Sequence, residues 1–274
     1  MKIDFHVHYD GNEEYLEEHL EKLQGRGFVT LVIFGNNEAC LEAAGRHPDL
    51  LVPFVWFDWE TDTPRTMDDY AKRGFRGVKF ILPRKPYDDA GYFPIYERLQ
   101  ANRMIALFHT AVISSFQAEY QRKIRASSLD MRPGLLDRIA RSFPDLVIVG
   151  AHLGYPWYPE ACSMMRWHKN VHFDTSTCQL TCARPRYLSE GAEEYVKPYI
   201  RELYLSGDLH PEKLLFGSDM VLDRENAVGT IDYAVRQHDV ALSDLGAPKE
   251  LGDDLYYRNA RRLLGDAHRR GGGR

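Results

Sequence analysis

Residues 1–10 read MKIDFHVHYD, and the run KIDFHV within them is the first of eight short apolar stretches that decide the fold. The others are FVTLVIFG at 28–35, LLVPFVWF at 50–57, GVKFIL at 77–82, MIALFH at 104–109, LVIVGAH at 146–152, NVHFDTS at 170–176 and KLLFGSD at 213–219. Between them lie segments whose apolar residues recur every three or four positions, as on one face of a helix. Examples are EEYLEEHLEKL at 13–23, NEACLEAAGRH at 37–47, YFPIYERLQAN at 92–102, GLLDRIARSF at 134–143 and the closing DDLYYRNARRLLG at 253–265. Eight strands, each followed by a helix, in a chain of 274 residues predict an α/β fold, a parallel (β/α)8 TIM barrel. A doubly wound open sheet is the alternative arrangement of the same elements.

Hydrophobic residues make up 44% of the chain, enough for one large core, and nothing in it reads as a linker. A single barrel domain is expected over 1–265, with 266–274 as a frayed basic and glycine tail. The first residues lack a basic segment leading into an apolar stretch and a cleavage site, and no run of about 18 apolar residues occurs. A soluble, cytoplasmic protein is therefore expected. The four cysteines, Cys40, Cys162, Cys178 and Cys182, have neither disulfide-framework nor metal-finger spacing. A net charge of -5 speaks against general affinity for nucleic acid or an anionic membrane.

In an extended strand, side chains two apart share a face, so His6 and His8 should project together while Ile3, Phe5 and Val7 point the other way. Polar residues also interrupt or end the other runs: Lys79 in the fourth, His109 after the fifth, His152 after the sixth and Asp219 after the eighth. In a barrel these strand ends converge on the C-terminal mouth, where the longer stretches Thr110 to Pro133, Ser176 to Leu188 and Met220 to Asn226 also lie. Imidazoles with a carboxylate are donors that a first-row divalent ion prefers. Such an ion brings the pKa of its water to about 7. Singly, each residue has an ordinary explanation, a satisfied core histidine or, for Asp219 after FGS, a turn former. Their shared placement at strand ends carries the metal reading.

Several blocks in order, DFHVH, GFRGVKF, ALFHTA, PDLVIVGAHLG, NVHFDTST, KLLFGSDM and YYRNARRLLG, resemble the amidohydrolase superfamily. The similarity is to its amidohydrolase 2 branch of aminocarboxymuconate-semialdehyde decarboxylase-like enzymes, and it spans nearly the whole chain. The resemblance implies that His6, His8, His109 and Asp219 hold one divalent ion, zinc above all, with manganese or iron(II) as alternatives. It also implies that His152 serves proton transfer or stabilises a developing oxyanion, and that Asp219 handles the proton of the attacking water. Lys79 stands where some superfamily members carry a carboxylated lysine; here a substrate-facing or structural role is expected. The chain departs from the branch after SDM, where Val221 and Leu222 replace an aromatic residue and proline. A TatD-like nuclease would place a glutamate where this chain has VKF, and a PHP-type phosphoesterase would need further ligands elsewhere.

The expected activity is metal-dependent hydrolysis of a small ester, lactone or amide, with decarboxylation of a small unsaturated or aromatic acid as the alternative on the same ligands. A non-catalytic barrel that binds a ligand or partner is the remaining class, and it would tolerate His152→Asn. Candidate substrate contacts are Lys79, Arg84 in ILPRKP, Arg184 and Arg186 in CARPRY, and Tyr155 and Trp157 after HLG. Loop arginines are more often solvated than functional, and the two aromatic residues equally suit packing at the rim. Trp56, Phe57 and Trp59 share that ambiguity. By resemblance alone, the chain is expected to pair as a homodimer.

Overall fold

The computed structural model describes residues 1–113, 126–177, 180–183 and 194–269. All eight expected strands form. They are β1 (Lys2–Tyr9), β2 (Phe28–Gly35), β3 (Leu51–Trp56), β4 (Gly77–Phe80), β5 (Ile105–Phe108), β6 (Ile148–Gly150), β7 (Val171–Asp174) and a last strand in two pieces. A hairpin that the apolar runs did not announce, β8 (Thr181–Ala183) paired antiparallel with β9 (Glu194–Val196), precedes that last strand. Its two pieces are β10 (Leu214–Leu215) and β11 (Met220–Val221).

Every neighbouring pair from β1 to β7 is parallel, β10 pairs with β7, and β11 pairs with β1. The split strand thus closes the sheet. Between its two pieces the closure continues in single hydrogen bonds: Phe5 N–H donates to Phe216 O at 2.9 Å and Asp219 N–H to His6 O at 2.9 Å. The result is a closed parallel barrel.

Alternation along the strands sorts the core into two sets. Ile3, Phe5, Val32, Phe34, Phe54, Ile105, Leu107, Val149 and Leu215 fill the barrel interior. Leu31, Ile33, Val55, Val78, Phe80, Phe108, Ile148, Val171 and Phe173 face the surrounding helices. Helix ends follow local chemistry. Thr63 and Thr66 form a reciprocal cap at the start of Pro64–Arg73, and Gly74 ends that helix at φ 107°, a left-handed conformation that costs glycine least. The last helical segment contains a π turn at Asp254–Arg258, which leaves Leu255 O to accept the Phe216 N–H at 3.0 Å. It continues as Asn259–Arg269, whose Ala260, Leu263 and Leu264 join the interior set and plug the barrel floor. Among the described residues, no helix is long and apolar enough to cross a membrane.

In β1 the expected simple alternation fails. Asp4 lies opposite Leu31 and Val7 opposite Ile33, so three steps of β1 span two of β2, a β-bulge. Ile3 and Phe5 therefore fill the interior, and the extra residue turns His6 and His8 to the same side just beyond them. Only Val7 points outward as anticipated. The bulge frees the His6 N–H from the strand ladder, and Asp4 Oδ1 accepts it at 3.0 Å.

Candidate metal centre

Above the interior layer of Phe5, Phe34 and Leu107, the C-terminal strand ends replace apolar side chains with polar ones. Lys79 of β4 points inward among them, 1% exposed, with Nζ 3.2 Å from His6 Nε2. Asp219 Oδ1 lies 3.1 Å from both His6 Nε2 and His8 Nε2. His152 Nε2 lies 3.0 Å from His109 Nδ1. His6, His152 and Asp219 each offer one ligand atom, all within 4.8 Å of one another, and His8 and His109 adjoin them on either side. The expected ligand set is thus brought to one place, with His152 inside the group.

The hydrogen bonds assign the tautomers. His6 Nδ1–H donates to Asp174 Oδ2 at 2.8 Å, His109 Nε2–H to Ala111 O at 3.0 Å, and His152 Nδ1–H to Ser176 O at 3.0 Å. Each outer nitrogen is thereby a donor, which leaves a lone pair on each inner nitrogen of the neutral rings. The inner nitrogens of His6 and His152 lie with an Asp219 oxygen within 4.8 Å of one another, and the His152 and His109 inner nitrogens face each other at 3.0 Å with no proton between them. A divalent cation resolves that repulsion, and the nitrogen and oxygen donors suit a first-row ion.

Electrostatics point the same way. Burial pushes His152 down to about 4 and His109 well below its ordinary value, and it lowers His8 despite the Asp219 carboxylate. These rings are neutral at pH 7, the form in which imidazole binds a metal. Burial and Lys79 would lower His6, but Asp174 and Asp219 outweigh them and raise it. Burial alone would raise Asp219, yet His6 and His8 hold it well below the carboxylate range. Burial brings Lys79 down to about 8.

Two carboxylates that the sequence reading passed over organise the centre. Asp174 ends β7, fully buried; besides His6, its Oδ1 accepts the N–H groups of His152 and Ser176, each at 3.0 Å. The signal was present in NVHFDTS, an apolar run ended by an acid, as in the strand that ends at Asp219. Asp4 Oδ1 ties β1 to the last strand by accepting the Ser218 N–H at 3.0 Å as well as that of His6. Burial raises Asp4 to about 7.

Backbone conformation is also unusual here. His152, Leu153, Thr177 and Asp219 hold positive φ angles of 62°, 47°, 41° and 61°. A non-glycine residue in that region costs on the order of 1–3 kcal/mol, and such strain gathers at functional sites. At His152 and Asp219 the strain aims the side chain inward.

The substrate candidates fall in different places. Lys79 is in the centre. Arg84 is at the surface, where its guanidinium pairs with Glu60. Tyr155 packs beside Tyr158 with the Lys197 ammonium 5.6 Å from its ring centroid, and Trp157 lies under the Arg132 guanidinium at 5.3 Å. Arg184 and Arg186 lie outside the described residues, as does Cys178. Of the aromatic residues after β3, Trp56 reaches the centre, its ring 5.7 Å from His8 and 6.1 Å from Phe34. Phe57 and Trp59 pack with Phe80 instead.

Comparisons with known proteins agree with this architecture. No curated protein matches the sequence. An uncharacterised TIM-barrel protein of Bordetella bronchiseptica superposes with a TM-score of 0.67 at 17% identity, covering 98% of this chain and 99% of that one. A dihydroxybenzoic acid decarboxylase of Polaromonas sp. JS666, solved with bound manganese and the inhibitor 2-nitroresorcinol, gives 0.59 at 15% identity, with 96% of each chain covered. The dihydroorotase of Saccharomyces cerevisiae, in complex with 5-fluoroorotic acid, gives 0.57 at 16% identity, covering 96% of this chain and 86% of that one. At these identities the structural likeness shows the fold, a TIM barrel. The amidohydrolase 2 family model, described as amidohydrolase, matches residues 19–265, and the chain belongs to that family of metal-dependent enzymes.

Proposed function

We propose that the chain holds one divalent metal ion through His6, His8, His109 and Asp219, with His152 beside it, and uses it to hydrolyse a small ester, lactone or amide. The observation that carries this reading is the gathering of His6, His152 and Asp219 ligand atoms within 4.8 Å of one another, with His8 on Asp219 Oδ1, His109 on His152, and the outer nitrogens of His6, His109 and His152 each tied to a protein acceptor. A bound ion there supplies Lewis acidity toward a carbonyl oxygen and acidifies a water molecule.

The residues divide the remaining work. Asp219, a quarter exposed and held ionised, accepts the proton of the attacking water and passes it to the leaving group. Thr177 donates its hydroxyl to Asp219 Oδ2 at 3.3 Å, leaving Oδ1 toward the histidines. His152, its ring fixed by Ser176 O and its backbone N–H by Asp174, turns the Nε2 lone pair inward, where it takes up and relays a proton during turnover. Lys79, buried beside His6, adds positive charge on the inner side of the centre.

A second reading is decarboxylation of a small aromatic acid. The half-buried Trp56 ring beside His8 favours it as a flat wall for such a substrate, and a dihydroxybenzoic acid decarboxylase shares the fold.

Elemental analysis of protein purified without added metal, with the His6→Ala/His8→Ala variant alongside, tests the centre: about one equivalent in the parent and none in the variant is expected. Zinc, manganese and iron(II) are the ions to assay. A screen of esters, lactones, amides and aromatic or unsaturated acids then separates the reactions by acid release against carbon dioxide release. His152→Asn should lower turnover about 10²–10⁴-fold; unchanged turnover would remove the imidazole from the chemistry.

A further inference from the structure

The barrel floor, at the opposite end from the metal centre, opens into a cavity of about 410 Å³ lined by residues at the N-terminal ends of β5, β6 and β7 and by the last helix. Its lining inverts the character of a chain whose net charge is -5. Lys169 and Arg262 stand at it with the carboxylate of Asp145; Arg103 also lines it but is engaged in an interaction of its own. Lys169 has no ion pair among the described residues. Arg262 donates to the Glu212 carbonyl at 3.0 Å and to Asn259 Oδ1 at 2.9 Å, contacts that orient its guanidinium without neutralising it.

A second, independent observation lies beneath these side chains. His172 of β7 lines the cavity, 8% exposed, and its Nδ1 has no hydrogen-bond partner among the described residues. It is two residues from Asp174 on the same face of β7, so it points into the barrel end rather than out to the helices. Buried polar atoms without partners are rare and call for a ligand or water.

We propose that this cavity binds a small oxyanion, a carboxylate or phosphate group carried on a compact molecule, held by Lys169 and Arg262 beside His172. Guanidinium groups match such oxyanions in bidentate geometry, and the ammonium adds a point charge. The state of His172 fits the proposal: burial, then the charges of Lys213 and Arg262, push it down to about 4. The site is independent of the reaction at the mouth.

Calorimetric titration of the metal-loaded full chain with inorganic phosphate and, separately, with succinate tests it, alongside Lys169→Ala and Lys169→Glu. Lys169 is exposed, so both variants should keep the metal content and circular dichroism of the parent. Binding of at least one anion with Kd below about 1 mM, weakened about threefold or more by Lys169→Ala and further by Lys169→Glu, is expected. The tighter of the two anions names the head group. No binding of either anion, or affinities unchanged in both variants, overturns the proposal.

Discussion

His6 Nδ1 lies 2.8 Å from Asp174 Oδ2, a buried contact that joins the first strand to the seventh across the barrel mouth. The same carboxylate accepts the His152 and Ser176 backbone N–H groups, so one side chain orients two of the inward imidazoles.

Replacing Asp174 with Asn keeps the volume but turns one acceptor into a donor. The His6 tautomer is then no longer fixed, and metal affinity should fall about 10–100-fold, the usual cost of losing such an outer partner. Metal titration with a competing chelator measures it. An unchanged affinity would mean that the contact is structural only.

Gly217 separates the two halves of the last strand where they pass the centre. A Cβ there would stand 2.9 Å from the His6 Cβ and 3.0 Å from the Ser176 Cβ, closer than packed carbons tolerate. Gly217→Ala should lower unfolding free energy by about 1–3 kcal/mol and reduce metal occupancy, read by urea denaturation and elemental analysis of the same sample.

Lys79→Met removes the ammonium beside His6 Nε2 while keeping most of the side-chain volume. If Lys79 acts on substrate, metal content should be retained and kcat/KM should fall about tenfold or more, a loss of at least ~1.4 kcal/mol in transition-state binding. Loss of the metal instead would assign Lys79 to building the centre.

His238 is fully enclosed near Phe216, with Nδ1 on Ala234 O at 2.7 Å and Nε2 on Thr175 Oγ1 at 2.7 Å. Burial pushes it down to about 4, against about 6.5 in the unfolded chain. Between those values the unfolded chain binds the extra proton, so stability rises with pH across the window and is lost as pH falls from about 6.5 toward about 4. The contribution amounts to about 3 kcal/mol at most. In urea denaturation from pH 4 to 7, His238→Gln should show a shallower pH dependence than the parent. Parallel curves would contradict the assignment.

The order of strands and helices was legible because each strand is a short apolar run and each helix a periodic one, both properties of adjacent residues. The polar strand ends were legible for the same reason: His6, His8, Lys79, His109, His152 and Asp219 break or end those runs, and a closed parallel barrel carries all such ends to one mouth. What the sequence could not give depends on partners far along the chain. The β1 bulge, which puts Phe5 and His6 on the same side, is set by register against β2 and by Asp4 reaching Ser218. Asp174 looked like the end of one more strand until β7 closed beside β10 and brought it to His6. The division of the last strand into β10 and β11 arises because its start pairs with β7 and its end with β1. Local sequence determined which residues arrive at the mouth; only tertiary closure decided which atoms face one another, because hydrogen-bond geometry there is shared among strands separated by more than a hundred residues.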